Sequence, residues 1–395
     1  MPDLVLSSGI SRFHSVCSGC LLCCLFFWLS PPASTYGQPA GFLFEAAYTG
    51  DLASNLAGGH ERGTVYLDNI DLTLTLDLDA LAAWRGGTLF LYGLGNQGGR
   101  PGQLVGDAQG VNNIEAPETW KLYEAWLEQT LFEKRASVLA GLYDLNSEFD
   151  VIGTASLFIH SSHGIGPDFS QSGLNGPSIF PVTSLGARVK LLPLDAFYVQ
   201  AVVLDGVPGS PDDPLGTHVV FGNEDGLLVA AEAAYFFGPE TEPDATPTNR
   251  HVRRIVDPPY RAKIAFGAWT YTRASEPIGS APSGNVARGA YVLAESDVYR
   301  ERTDTDQGLS VFARTGLADV RVLRFGAYTG LGAVYRGPFG GRDADELGLA
   351  VAAVHNGASY KQALRETGRA VAASEVNLEA TYLAALAPWL ALQAD

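Results

Sequence analysis

The stretch Leu72-Thr73-Leu74-Thr75-Leu76-Asp77-Leu78-Asp79 sets leucine at every even position and threonine or aspartate at every odd one. Side chains of a β-strand alternate between two faces, so this segment has one aliphatic face and one polar face. A half-buried strand of a soluble sheet would read the same way. The alternation, however, returns along most of the chain behind an apolar leader, and no helical domain interrupts it. That combination predicts an all-β protein, a transmembrane antiparallel up-and-down β-barrel, apolar outside and wet inside.

Composition supports strands over helices as the spanning elements. Of 395 residues, 46% are hydrophobic and only 17% are charged, below the roughly 25% charged residues of soluble domains. Yet outside the N-terminus no apolar run reaches the ~20 residues that a membrane-crossing helix requires. The 45 glycines, 16 tyrosines and 19 phenylalanines suit a barrel with many turns and aromatic girdles. A formal net charge of −17 argues against a nucleic-acid partner, which calls for a basic surface.

The apolar stretch Val16 to Leu29 follows Arg12 and precedes the small residues Ala33, Ser34, Gly37 and Ala40. This is the pattern of a secretory signal, expected over residues 1–40. Cys17, Cys20, Cys23 and Cys24 all lie within it. Removal of the signal would leave a chain without a disulfide framework or a thiolate metal site, so neither cofactor nor metal is expected.

Beyond residue 40 the pattern predicts a barrel domain over 41–395. Its strands are expected at 42–56, 63–79, 87–95, 119–132, 135–143, 184–192, 195–205, 227–237, 260–273, 288–300, 308–315, 321–335, 346–356 and 371–384, with a fifteenth from Trp389. Links after even-numbered strands are often tight, as at Glu133-Lys134. Links after odd-numbered strands are often long. Short turns at one end and long loops at the other are the habit of an outer-membrane barrel. The link 238–259 breaks this parity; it is long, rich in proline and glutamate, and then basic at His251, Arg253 and Arg254.

Segment 144–183 is the longest without a strand. Loops beyond ~12–15 residues in a compact fold are usually functional or disordered. Phe149, Phe158, Phe169 and Phe180 argue against disorder, and Gly153, Gly164, Gly166, Gly173 and Gly176 allow sharp bends. An apolar loop on a barrel is expected to fold inward and narrow the pore.

The text GLYDLNSEFDV (141–151), SLFIHSSHGIGPDFSQSGLNGPSIFPVTSLGARVKL (156–191) and AVVLDGVPGSPDDPLGTHV (201–219) resembles the carbohydrate-selective porin (OprB) family. YEAWLEQTLF (123–132), GAWTY (267–271), YRGPFGGRDADELGLAV (335–351) and ATYLAALAPWLALQ (380–393) add to the resemblance. It implies a 16-stranded barrel in the bacterial outer membrane, inserted in lipid by the barrel-assembly machinery. Through it monosaccharides or small oligosaccharides would diffuse passively into the periplasm, without enzyme activity. Against that pattern the chain reaches Leu392-Gln393-Ala394-Asp395 early in its fifteenth strand, so the closing strands are expected to be missing.

Alternation assigns the pore lining. In the fourth strand Tyr123, Ala125, Leu127 and Leu131 oppose Glu124, Trp126 and Glu128. In the sixth, Leu185, Ala187, Val189 and Leu191 oppose Arg188 and Lys190. In the ninth, Ile264, Phe266 and Ala268 oppose Arg261, Lys263 and Trp269. The eleventh and twelfth strands offer Phe312, Arg314, Arg324 and Tyr328, and the fourteenth Glu375, Asn377 and Glu379. An Arg or Lys on the lipid face costs about 2–4 kcal/mol at the midplane, so the charged faces belong to the lumen. Glu124, Trp126, Glu128, Arg188, Lys190, Arg261, Trp269, Arg314 and Arg324 are the candidate sugar-binding residues. Glu45, Asp77 and Asp79 extend the acidic sector, and Glu232 falls inside the basic one. Arg188, Lys190, Arg261 and Arg324 are expected to face Glu124 and Glu128 across a water-filled gap. Carboxylates and guanidiniums there would bind hydroxyls, and an aromatic face would stack on sugar C–H groups.

His160 and His163 flank Ser161 and Ser162, which invites a nucleophile reading. No Asp or Asn partner can be placed from sequence, so loop packing is expected and catalysis is not. A passive porin for small neutral sugars is the leading reading. A non-selective porin, an outer-membrane barrel enzyme of the phospholipase type and a secreted glycan-binding β-protein are its rivals.

Overall fold

Fifteen antiparallel strands follow one another in a computed structural model that describes residues 41–209, 224–238, 260–302 and 306–395, with positions 213, 215–217, 219 and 222. The expected signal over 1–40 and the basic stretch at 251–254 lie outside the described residues. The strands are β1 (Phe42–Asn55), β2 (Gly63–Asp77), β3 (Gly87–Gly98), β4 (Thr119–Leu131), β5 (Ala136–Tyr143), β6 (Ser184–Leu194), β7 (Phe197–Asp205) and β8 (Leu227–Phe237). They continue as β9 (Ala262–Ala274), β10 (Val286–Arg300), β11 (Gly308–Ala318), β12 (Phe325–Arg336), β13 (Glu346–Asn356), β14 (Ser374–Ala387) and β15 (Leu390–Ala394). Each strand pairs with its sequence neighbours in a single up-and-down sheet. No helix among the described residues is long and apolar enough to cross a membrane.

Alternation of side chains sorts the two faces. On β6, Arg188 and Lys190 are buried while Val189 and Leu191 are exposed. On β9, Lys263 and Trp269 are buried and Phe266 is exposed. On β14, Glu379 and Thr381 are buried while Val376 and Leu378 are exposed. The sheet is thus inverted relative to a soluble protein: its charges point in and its large aliphatic groups point out. Outward leucine and phenylalanine suit hydrocarbon, where they meet no desolvation cost.

Segment 99–118 ties the two ends of the sheet together. Asn112 Nδ2 donates to Asp51 on β1 at 2.6 Å, and the Ala108 N–H donates to Glu375 on β14 at 3.0 Å. The sheet therefore curls round on itself. The core lies inside the curl, where Phe90, Trp126 and Trp269 from the walls pack with Phe149, Phe158 and Phe169 from 144–183.

Several strand ends differ from the sequence expectation. β2 stops at Asp77, and Leu78–Ala82 forms one helical turn. The Asp77 carboxylate accepts the Asp79 N–H at 3.0 Å, a helix cap that ends the alternating run two residues early. Asp79 therefore stands in that turn and not on a strand face. β12 begins at Phe325, because Asp319 and Arg321 close a turn before it. β14 begins at Ser374, behind a short helix at Ala358–Glu366. In β4 the pairing with β3 slips between Tyr92 and Gly93, which leaves Tyr123 as an extra residue. A bulge sends adjacent side chains to the same side. Tyr123 is consequently buried next to Glu124 and not on the lipid face with Leu127, where strict alternation had put it.

Candidate functional site

Segment 144–183 crosses the interior and is tied to walls almost all the way round. Its densest joint is Arg314 on β11. The guanidinium donates from Nη2 to Asp150 at 2.6 Å and from Nη1 to Asp168 at 2.5 Å, and all three side chains are buried. The rings of Tyr291 and Tyr328 lie 5.3 and 5.2 Å from the guanidinium carbon. Two glycines make room for the joint. A Cβ at Gly316 would come within 2.0 Å of Asp168 Oδ2, and one at Gly166 within 2.1 Å of Arg314 Nη1.

Wall carboxylates hold the backbone of the same segment. Glu232 on β8 accepts the Asp150 N–H at 2.9 Å. Glu295 on β10 accepts the N–H groups of Gly153 and Thr154 at 3.1 and 2.7 Å. Glu379 on β14 accepts those of Ile159 and His160 at 2.5 and 3.2 Å. Donors act in the opposite direction: Lys263 reaches the Val151 carbonyl at 2.7 Å, Gln200 that of Glu148 at 2.9 Å, and Gln393 that of Leu157 at 2.7 Å. A loop folded inside a barrel cannot satisfy its backbone with a ladder of its own, and buried N–H and C=O groups need partners. Polar residues at inward strand positions supply them.

A second joint lies on β6. Arg188 is fully buried and donates to Glu128 on β4 and to Glu148 of the loop, both at 2.8 Å. Lys190 Nζ sits 4.4 Å above the centre of the Tyr198 ring. Trp126 stacks on Phe90 with ring centres 4.7 Å apart, and Trp269 stacks on Phe169 of the loop at the same separation. Glu124 accepts the Asp144 N–H at 3.0 Å.

A model of the carbohydrate-selective porin, OprB family matches residues 61–395. The chain belongs to that family. It is 24% identical over 337 residues to Porin B of Pseudomonas aeruginosa, covering 80% of this chain and 70% of that protein. Its fold is similar to the high-pH structure of Pseudomonas putida OprB, with a TM-score of 0.74 at 20% identity over 90% of this chain and 92% of that one. The low-pH structure of the same protein gives a TM-score of 0.54 at 20% identity, over 90% of each chain. The family places this porin in the bacterial outer membrane and makes it a channel for sugars.

Measured against the residues picked from sequence, the porin's interior has two kinds of outcome. Glu124, Trp126, Glu128, Arg188, Lys190, Trp269 and Arg314 all point inward, as the alternation of their strands requires. Glu124, Arg188, Arg314 and Trp269 nevertheless meet the loop, Glu128 meets Arg188, and Lys190 and Trp126 meet the wall rings of Tyr198 and Phe90. The expected water-filled gap is absent at Arg188 and Glu128, which are in direct contact. The sequence expectation omitted the loop's own carboxylates, Glu148, Asp150 and Asp168, which bring negative charge to the basic wall.

Arg261 and Arg324 are not part of this wall. Arg261 precedes β9 and is exposed beside Phe237, to whose carbonyl its N–H donates at 3.0 Å. Arg324 precedes β12 and donates to Asn356 Oδ1 at 3.1 Å, with its guanidinium 4.6 Å from the Phe325 ring centre and 5.0 Å from that of Tyr360. Both lie just outside the strands, one at each end of the barrel, where strand parity no longer sets direction.

His160 and His163 are buried loop residues. His163 packs between the Phe158 and Phe312 rings and comes within 3.7 Å of Glu379. Burial, with His163 adjacent, pushes the His160 imidazole down to about 3; burial pushes that of His163 down to about 4. The Ser162 hydroxyl donates to Gln109, and it is the Ser162 backbone N–H that reaches His160 Nδ1. That geometry does not activate a serine nucleophile.

Proposed function

We infer that this porin passes small neutral sugars, one at a time, by passive diffusion round segment 144–183, which sets the constriction. The observation that carries the reading is that the buried guanidiniums of the wall are enclosed by carboxylates. Arg188 is matched by Glu128 and Glu148, Arg314 by Asp150 and Asp168, and Lys263 lies 3.8 Å from Glu295. Guanidiniums enclosed by carboxylates offer a passing anion little attraction. The remaining hydroxyl and amide surface suits a solute with many hydroxyls and no charge. On this reading Glu124, Glu128, Arg188 and Arg314 shape the passage by fixing the loop, and Trp126 and Trp269 act as its apolar bedding. Residues 1–40 direct export and are removed, and the barrel-assembly machinery inserts residues 41–395 into lipid.

Swelling of liposomes that contain the purified porin tests selectivity. Glucose should enter faster than a zwitterionic amino acid of equal size. Equal rates would leave a general porin as the better description.

A further inference from the structure

A polar chamber of about 290 Å³ lies beneath the loop. Its roof is Gly153, Thr154 and Ser156, held up by the bonds from Glu295. Its wall is made by the ends of β10 and β12 and the starts of β11 and β13, with Asp297, Ser310, Arg336 and Glu346 on it. These strand ends carry the turns that follow even-numbered strands, the periplasmic side of a barrel whose long loops lie outside. None of these residues is among those picked from sequence as sugar contacts.

We propose that this chamber is a second binding station for a single neutral pyranose, on the periplasmic side of the constriction. The inference rests on the sugar-porin reading above and adds a place and a size to it. The volume falls just under the ~300–1,000 Å³ of small-molecule sites, which fits one ring and not a chain of rings. Arg336 is exposed, and its planar fork presents parallel N–H donors of the spacing that adjacent hydroxyls accept. The Ser156 and Ser310 hydroxyls donate to the Gly153 carbonyl and to Asp297, and each keeps lone pairs that can accept from a sugar hydroxyl. The Asp297 carboxylate is oriented by Ser310 and Arg300, at 2.6 and 2.5 Å, and so keeps a fixed acceptor at the wall. Charges of both signs share one small space, so a cation or an anion entering it meets a like charge nearby. A neutral polyol meets none and can use both.

Thiol protection tests the station. Ser310→Cys is labelled with a methanethiosulfonate reagent, and the rate at residue 310 is read by peptide mass spectrometry. Glucose should slow labelling in a saturable way. Adding Arg336→Ala should raise the half-protecting concentration about tenfold, the loss of one charge-assisted hydrogen bond. Ser156→Cys on the roof gives the same reading should Ser310→Cys fail to assemble. No protection in a porin that still prefers glucose in swelling assays would overturn the station while leaving the sugar reading intact. Equal protection by an amino acid of similar size, stronger protection by a sugar phosphate, or an unchanged half-protection in Arg336→Ala would overturn it too. Loss of glucose preference in the unmodified porin would instead remove the sugar reading, and the station with it.

Discussion

Arg314 on β11 and Asp150 of the inward segment meet at 2.6 Å, although 164 residues separate them in sequence. Asp168 closes on the same guanidinium from the other side. One wall residue thus fixes two points of the loop, and the cost of burying three charges is offset by short, well-directed bonds.

Removing that guanidinium should release the loop. Arg314→Ala leaves two buried carboxylates without their cation, a defect that costs about 3–5 kcal/mol. Single-channel conductance should rise several-fold, and a protease should cut within 150–170. Gly316→Ala should act in the same direction, since its Cβ would displace Asp168. Conductance unchanged in both variants would show that the loop does not set the pore.

The lipid face should tolerate shape changes and reject charge. Leu378 on β14 is 75% exposed and points outward. Leu378→Arg should destabilise the barrel by about 2–4 kcal/mol if the residue sits near the midplane, and Leu378→Phe by far less. Urea unfolding in phospholipid vesicles measures both. Similar stabilities for the two variants would contradict the outward assignment of β14.

Acid should loosen the part of the loop around His160 and His163. Their folded values are depressed to about 3 and about 4, against about 6.5 for a free imidazole. The unpacked loop therefore binds more protons, and the packed form loses stability as pH falls below about 6.5 toward 4. Amide exchange of residues 157–165 should accelerate between pH 7 and pH 4.5. His160→Gln/His163→Gln should flatten that dependence, and an identical pH profile in the double variant would assign the effect elsewhere.

The β6 joint should control ion selectivity. Arg188→Ala leaves Glu128 and Glu148 uncompensated, so reversal potentials in a salt gradient should move toward cation preference. The shift should shrink between 0.1 M and 1 M salt, as the Debye length falls from about 10 Å to about 3 Å. Arg188→Lys should recover part of the original selectivity. An Arg188→Ala channel with unaltered reversal potential would mean that this pair is closed off from the ion path.

Strand identity was legible because it is a local property. A period of two in Leu72–Leu76, in Arg188–Leu191 and in Glu375–Glu379 depends only on the geometry of an extended chain. Given lipid outside, the cost of a charge in hydrocarbon then sends Arg188, Arg314 and Glu379 inward wherever the strands stand in space. Exceptions arise where the local rule stops. The Asp77 cap, the Tyr123 bulge and the strand starts at Ala262 and Phe325, just after Arg261 and Arg324, each limit the period, and alternation carried past them misplaces the side chain.

Tertiary structure alone decided what the inward charges meet. Alternation reports a face but not the occupant opposite that face, and it left Arg188 facing Glu128 across open water. The occupant is a segment of the same chain, whose Glu148, Asp150 and Asp168 have no periodic relation to the strands they join. Its many turns expose backbone N–H and C=O groups that no regular ladder can pair. Those groups require partners inside the barrel, and inward residues on β4, β7, β8, β9, β10, β12, β14 and β15 provide them, while Arg188 on β6 and Arg314 on β11 hold the loop's carboxylates. Sequence by itself determined that the interior would be polar; the path of residues 144–183 through it decided that the polarity would hold a loop in place.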